Sequence, residues 1–121
     1  MFTHGYVASC VNYIQSLARL ASKYRLVLFD NCCRGLNTRL SDEDVPAELM
    51  RDPSAAEHWL IEFMTKTIDA LPLPEKFLLA GHSFGGYLVS LYASQHPERV
   101  RSLFLCTPAF IEPYSDEIDA T

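Results

Sequence analysis

Apolar positions recur with two different periods along the 121-residue chain, and each change of period marks an element. From Val11 to Ser22 the apolar residues Val11, Ile14, Leu17, Ala18 and Ala21 return at helical spacing, with Lys23 and Arg25 where a helix C-terminus favours cations. The short run Leu26-Val27-Leu28-Phe29, closed by Asp30, reads as a strand buried on both faces. Asp30 to Asp52, with Gly35, Asn37 and Pro46, shows no sustained period and is predicted to be a long loop. A second helix follows, with two competing starts: Asp52 as cap before Pro53, or Ser54 as cap with Glu57 three residues on. Its predicted apolar face is Trp59, Leu60, Phe63, Met64, Ile68 and Leu71, and Pro72 and Pro74 end it.

The densest pattern lies between Lys76 and Gln95. An apolar run, KFLLA, meets GHSFGG, and a third helix starts at once, with Phe84, Tyr87, Leu88, Leu91 and Tyr92 at i, i+3, i+4, i+7 and i+8. Few charges interrupt this helix, which predicts that it is buried. Val100 to Cys106 (VRSLFLC) reads as another strand, and the tail IEPYSDEIDAT is acidic and weakly patterned. Met1 to Thr3 reads as the end of a strand. Strands and helices therefore alternate, which predicts an α/β fold: a parallel sheet with helices on both faces, joined by right-handed crossovers.

Composition narrows the function classes. Half of the chain is hydrophobic (49%), enough for one domain core. A net charge of -5 and a pI near 5.2 provide no basic footprint for a phosphate backbone, so no nucleic-acid partner is expected. No apolar run approaches the roughly 18 to 20 residues of a membrane helix, and MFTHGYVASC has no secretory pattern, which predicts a cytoplasmic protein. Cys10, Cys32, Cys33 and Cys106 show no C-x-x-C spacing and read as reduced thiols. Cys32-Cys33 has no histidine at zinc-ligand spacing, so no metal site is expected, and the pair reads as loop or pocket wall. The glycines match neither a Walker loop nor G-x-G-x-x-G, and no cofactor is expected.

Gly81, Ser83 and Gly85 spell G-x-S-x-G, the turn that lifts a nucleophilic serine above the carboxyl edge of a parallel sheet. Such a turn tolerates little bulk, which accounts for Gly81 and Gly85, with Gly86 adding room at the helix start. Attack by Ser83 Oγ needs two donors for the oxyanion. The Phe84 N–H, at the helix N-terminus, is one candidate, and the Tyr6 N–H, in the loop after the strand end at Thr3, is the other. His4, Gly5 and His82 are expected to line the pocket. Ser83 as a bland turn residue, or His82 as a general base, is the weaker reading in each case.

His4-Gly5-Tyr6 before a helix, GHSFGGY between strand and helix, FDNCCRGLNTR with Asp30 and Gly35, and YASQHPERVRSLFLCTP together resemble the α/β-hydrolase family over nearly the whole chain. GHSFGGYL with Tyr92-Ala93 and HPERV is similar to the branch of lysophospholipid and N-acyl phosphatidylethanolamine lipases and lipid-droplet lipase co-activators. The resemblance implies a serine hydrolase of carboxylic, lipid-like acyl esters acting through an acyl-enzyme on Ser83. The small-molecule ester or lipid would be its partner, with peripheral membrane or lipid-droplet contact. A non-catalytic binding or co-activator protein is the alternative; members of that type lack the nucleophile, whereas Ser83 is present here.

Two features depart from the family pattern. Its order is nucleophile, acid, histidine, yet 38 residues (121 − 83) follow Ser83, and Asp116 and Asp119 are poor matches for the acid. The H-x-x-x-x-D of the lipid branch is missing from all four histidines. The expectation is a partial hydrolase domain over residues 1–121, inactive by itself, with its first strands and C-terminal half lying outside.

Overall fold

In the computed structural model, residues 1–41 and 43–110 are described. Four parallel strands form one sheet in the order β2-β1-β3-β4: β1 is Phe2–Thr3, β2 Leu28–Phe29, β3 Phe77–His82 and β4 Val100–Cys106. The helices between them are α1 (Ile14–Ala18), α2 (Pro53–Asp69) and α3 (Phe84–Gln95). The alternation read from the apolar periods is thus an α/β fold with a parallel sheet.

Register decides which residues share a face. Thr3 pairs with Phe29 and with Gly81, and Leu79 and Gly81 pair with Leu103 and Leu105. Partners in a parallel ladder point the same way, so Thr3, Phe29, Phe77, Leu79 and Gly81 turn toward α3. There Leu79, Val89 and Ile68 are wholly enclosed, with Phe29, Met64, Leu88 and Tyr92 completing one core. Each such side chain contributes on the order of 1.5–3 kcal/mol by leaving water. Phe2, Leu78, Ala80, His82 and Phe104 face the other way. That face is covered in part by Tyr13, whose ring lies 4.8 Å from that of Phe2. Leu78 and Phe104 on it are 43% and 67% exposed.

Three local expectations need correction. The helix predicted over Val11–Ser22 is divided: 3-10 turns at Cys10–Tyr13 and Arg19–Ser22 flank the five-residue α1. Of its periodic residues, Val11, Ile14, Ala18 and Ala21 stay exposed and Leu17 is half-buried, because Tyr13, among them, makes the contact with the sheet. The run Leu26–Phe29 pairs over Leu28 and Phe29 alone, and Phe29 is its one buried residue. In α2 the buried stripe is Ile61, Met64 and Ile68, rotated from the expected face; Trp59 and Phe63 are half-buried beside it. Of the competing starts of α2, Asp52 wins: its Oδ1 accepts the Ser54 N–H at 2.9 Å and Pro53 occupies the first turn. The helix α3 is buried as expected, along Gly85, Gly86, Leu88, Val89 and Tyr92.

Candidate active site

The turn between β3 and α3 is shaped by what cannot be there. A Cβ on Gly81 would stand 2.3 Å from the Gly85 carbonyl oxygen, and one on Gly85 would stand 2.5 Å from the His4 carbonyl oxygen. Both obstacles are backbone, so strand, helix and the loop after β1 can approach this closely only with glycine at both positions. A Cβ on Gly86 would meet Pro108 at 3.0 Å, so the segment after β4 closes on the same helix start.

Between these glycines Ser83 adopts φ 53° and ψ −120°, a left-handed conformation that non-glycine residues avoid. It is held there from both sides. Its N–H donates to the Cys106 carbonyl at 3.0 Å, and its carbonyl accepts from Tyr87 N–H at 3.1 Å and Ala109 N–H at 3.0 Å. A strained backbone fixed by three hydrogen bonds marks a position where the geometry itself is used.

The loop after β1 lies against this turn. A Cβ on Gly5 would come within 3.2 Å of both the Ser83 Cβ and His82 Nδ1. Tyr6 follows, its ring edge-on to Phe84 at 5.8 Å between centroids. Among the described residues neither the Tyr6 N–H nor the Phe84 N–H has a hydrogen-bond acceptor in the protein. Ser83, Tyr6 and Phe84 are therefore brought together at the carboxyl edge of the sheet.

His4 and His82 are each tied into the structure around the turn by hydrogen bonds of their rings. His4 is completely buried; its Nδ1 donates to the Gly5 carbonyl at 2.7 Å and its Nε2 accepts the Asn31 N–H at 3.1 Å. His82 belongs to the opposite sheet face, and its Nδ1 meets the Tyr13 hydroxyl at 2.8 Å. Two cavities lie along the loop after β1, both lined by Tyr6. One, of about 90 Å³, is lined by Tyr6, Asn31, Cys32, Arg34, Leu60 and Phe84. The other, of about 380 Å³, is lined by Tyr6, Val7, Ala8, Arg34, Gly35 and Arg39. Neither includes His4, Gly5 or His82, whereas Cys32 is pocket wall.

The loop after β2 supports the site through residues that periodicity does not reveal. Asn31, almost fully buried, accepts from Thr3 Oγ1 at 2.7 Å and donates from Nδ2 to the His4 carbonyl at 2.8 Å. Asp30 accepts the Cys10 and Leu36 N–H groups at 2.7 and 2.9 Å, and Gly35, at φ +55°, leaves no room for a Cβ beside its carboxylate. Burial of Asp30 raises its pKa, but those two N–H donors, with His4 nearby, outweigh it and hold the carboxyl below its ordinary value. Tyr13 and the Tyr87–Glu57 hydrogen bond carry no local signal in the sequence; the polar pair Asp30-Asn31 directly after the apolar run of β2 is the one signal for Asn31.

Among the described residues no imidazole hydrogen-bonds Ser83 Oγ, and none forms a metal cluster of three or more His, Cys, Asp or Glu. Asp116 and Asp119 lie outside the described residues. No helix among the described residues is long and apolar enough to cross a membrane.

A family model described as the alpha/beta hydrolase fold matches residues 1–120. The chain belongs to the α/β-hydrolase family. It is 34% identical over 120 residues to a 1-acylglycerol-3-phosphate O-acyltransferase of Arabidopsis thaliana, covering 99% of this chain and 26% of that protein. To the human (lyso)-N-acylphosphatidylethanolamine lipase it is 30% identical over 108 residues, 89% of this chain and 29% of the lipase. Among solved structures, a putative lipase of Acinetobacter baumannii superposes with a TM-score of 0.74 at 25% identity, over 97% of this chain and 36% of that one. The chain thus spans about a quarter of the length of the curated relatives it matches.

Proposed function

We propose that the protein is a serine hydrolase of carboxylic esters with lipid-like acyl groups, in which Ser83 Oγ is the nucleophile. One observation carries the reading: Ser83 is held at φ 53° between glycines that backbone contacts require, with the Gly5–Tyr6 loop packed against it. In this reading Ser83 Oγ attacks the ester carbonyl carbon, the alcohol leaves, and water hydrolyses the acyl-enzyme. The Tyr6 and Phe84 N–H groups receive the developing oxyanion, each worth about 2.7–4 kcal/mol of transition-state stabilisation. The base that takes the Ser83 proton is not among the described residues; it comes from chain outside them. Residues 1–121 then form part of a hydrolase domain and turn over esters poorly when separated from the rest. The lipase and acyltransferase names of the relatives favour a lipid acyl ester as the substrate.

Labelling of the full-length protein by a fluorophosphonate tests this. Modification at Ser83, lost in Ser83→Ala, is the expected outcome. A folded protein that resists labelling would instead be a non-catalytic relative of the co-activator type.

A further inference from the structure

The larger cavity, between the loops after β1 and β2, has an unusual lining for a chain of net charge -5: two arginines and no acidic side chain among Tyr6, Val7, Ala8, Arg34, Gly35 and Arg39. Among the described residues no carboxylate lies within ion-pair distance of either guanidinium. Arg34 is stacked over the Tyr6 ring, its guanidinium carbon 4.4 Å from the centroid. Stacking fixes the plane of the guanidinium and leaves its N–H edge for an acceptor, the arrangement suited to bidentate recognition of a phosphate. The groove is also placed for a substrate. Tyr6 and Arg34 line both cavities, and the smaller one, walled by Leu60 and Cys32, extends to Phe84, the residue that follows Ser83 in the chain. An amphiphile with an anionic end and an apolar body would meet the arginines at one end and apolar side chains at the other.

We propose that Arg34 and Arg39 form a binding site for the phosphate of a glycerophosphate-type ester whose acyl carbonyl is presented to Ser83. This deepens the hydrolase reading and rests on it for the placement of the carbonyl, though not for the phosphate contact itself. The expectation is that an acyl ester carrying a phosphate is selected over the same ester without one.

Two measurements on the full-length protein separate the questions. In the first, binding of glycerol 3-phosphate, inorganic phosphate and glycerol to the Ser83→Ala protein is followed by titration calorimetry, with no chemistry involved. Glycerol 3-phosphate is expected to bind more tightly than inorganic phosphate, with glycerol binding undetected. Arg39→Gln should weaken the phosphate ester roughly tenfold or more, the order expected for loss of a hydrogen bond to a charged group. Because Arg34 also packs on Tyr6, Arg39→Gln is the decisive variant and Arg34→Gln the supporting one. Equal binding of inorganic phosphate and glycerol 3-phosphate, or binding that Arg39→Gln leaves unchanged, overturns the assignment. In the second, kcat/KM is compared for 1-oleoylglycerol 3-phosphate and 1-oleoylglycerol. The ratio should exceed one and fall at least about tenfold in Arg39→Gln. A parallel loss on both substrates overturns the role in selectivity. Absence of turnover on either, with glycerol 3-phosphate still bound through Arg39, would count against the hydrolase reading and leave the phosphate site standing.

Discussion

The carbonyl oxygen of His4 stands 2.5 Å from the point a Cβ on residue 85 would occupy, so the first turn of α3 rests directly on the backbone leaving β1. The Thr3 carbonyl oxygen is 2.8 Å from the same point. Gly85→Ala therefore has no flexible side chain to displace and must push helix from sheet. The expected cost is about 1–3 kcal/mol, the usual range for overpacking. Denaturant midpoints of wild type and variant, with Gly86→Ala as the milder neighbour whose obstacle is Pro108 at 3.0 Å, test this. Equal stability of Gly85→Ala and wild type would contradict the packing described.

Ser83 carries a backbone conformation that glycine adopts freely. Releasing it should gain about 1–3 kcal/mol, against about 0.4–1 kcal/mol lost to the more flexible unfolded chain. Ser83→Gly is thus expected to be more stable than Ser83→Ala, which keeps the strain, and neither should react with a fluorophosphonate. Thermal unfolding of the two variants side by side makes the comparison; a less stable Ser83→Gly would show that the turn at φ 53° stores no strain.

Much of this could be read from the chain, and the failures have physical causes. The β3–turn–α3 unit was legible because three signals agree there: a short apolar run, glycines where bulk is excluded, and a 3.6-residue period in an almost uncharged helix. Over 11–22 the helical period is real, but Val11, Ile14, Ala18 and Ala21 face solvent, while one aromatic residue, Tyr13, makes the docking contact. The face of α2 was set by too many apolar residues, so the pattern allowed more than one stripe, and packing on α3 chose Ile61, Met64 and Ile68. The site was legible only where local chain geometry carries it. Asn31 joins Thr3 and His4, and Tyr13 joins His82, across separations of 28, 27 and 69 residues that no local pattern encodes.

Asp30 holds the loop after β2 to the start of the Cys10–Tyr13 turn through two backbone N–H groups. Its pKa is lower folded than unfolded, so the folded state is favoured by the ionised form. That contribution is fully present above the unfolded carboxylate value, near about 3.9, and is lost as pH falls through the lower folded value. Asp30→Asn in the full-length protein should accordingly be less stable than wild type at pH 7. The gap should narrow as the pH is taken below about 4. Urea unfolding at a series of pH values reads this out, and a gap that widens toward acid would reverse the sign assigned to Asp30.

The four thiols should differ sharply in reactivity. Cys10 is buried against the Phe29 carbonyl, and burial, with the charge and hydrogen bond of Asp30, pushes it up to about 12. Cys32 is likewise raised to about 12, by burial and then by its contact with Cys33, 3.7 Å away between sulfurs. At pH 7.5 such a thiol is ionised in roughly one molecule in 10⁴–10⁵, and the thiolate is the nucleophile. Cys106, at the end of β4, is exposed. In the folded 121-residue chain, iodoacetamide should therefore modify Cys106 well before Cys10 or Cys32, and unfolding in urea should remove the difference. Peptide mass spectrometry over a time course measures the order; native Cys10 reacting as fast as Cys106 would contradict its burial against Asp30 and β2.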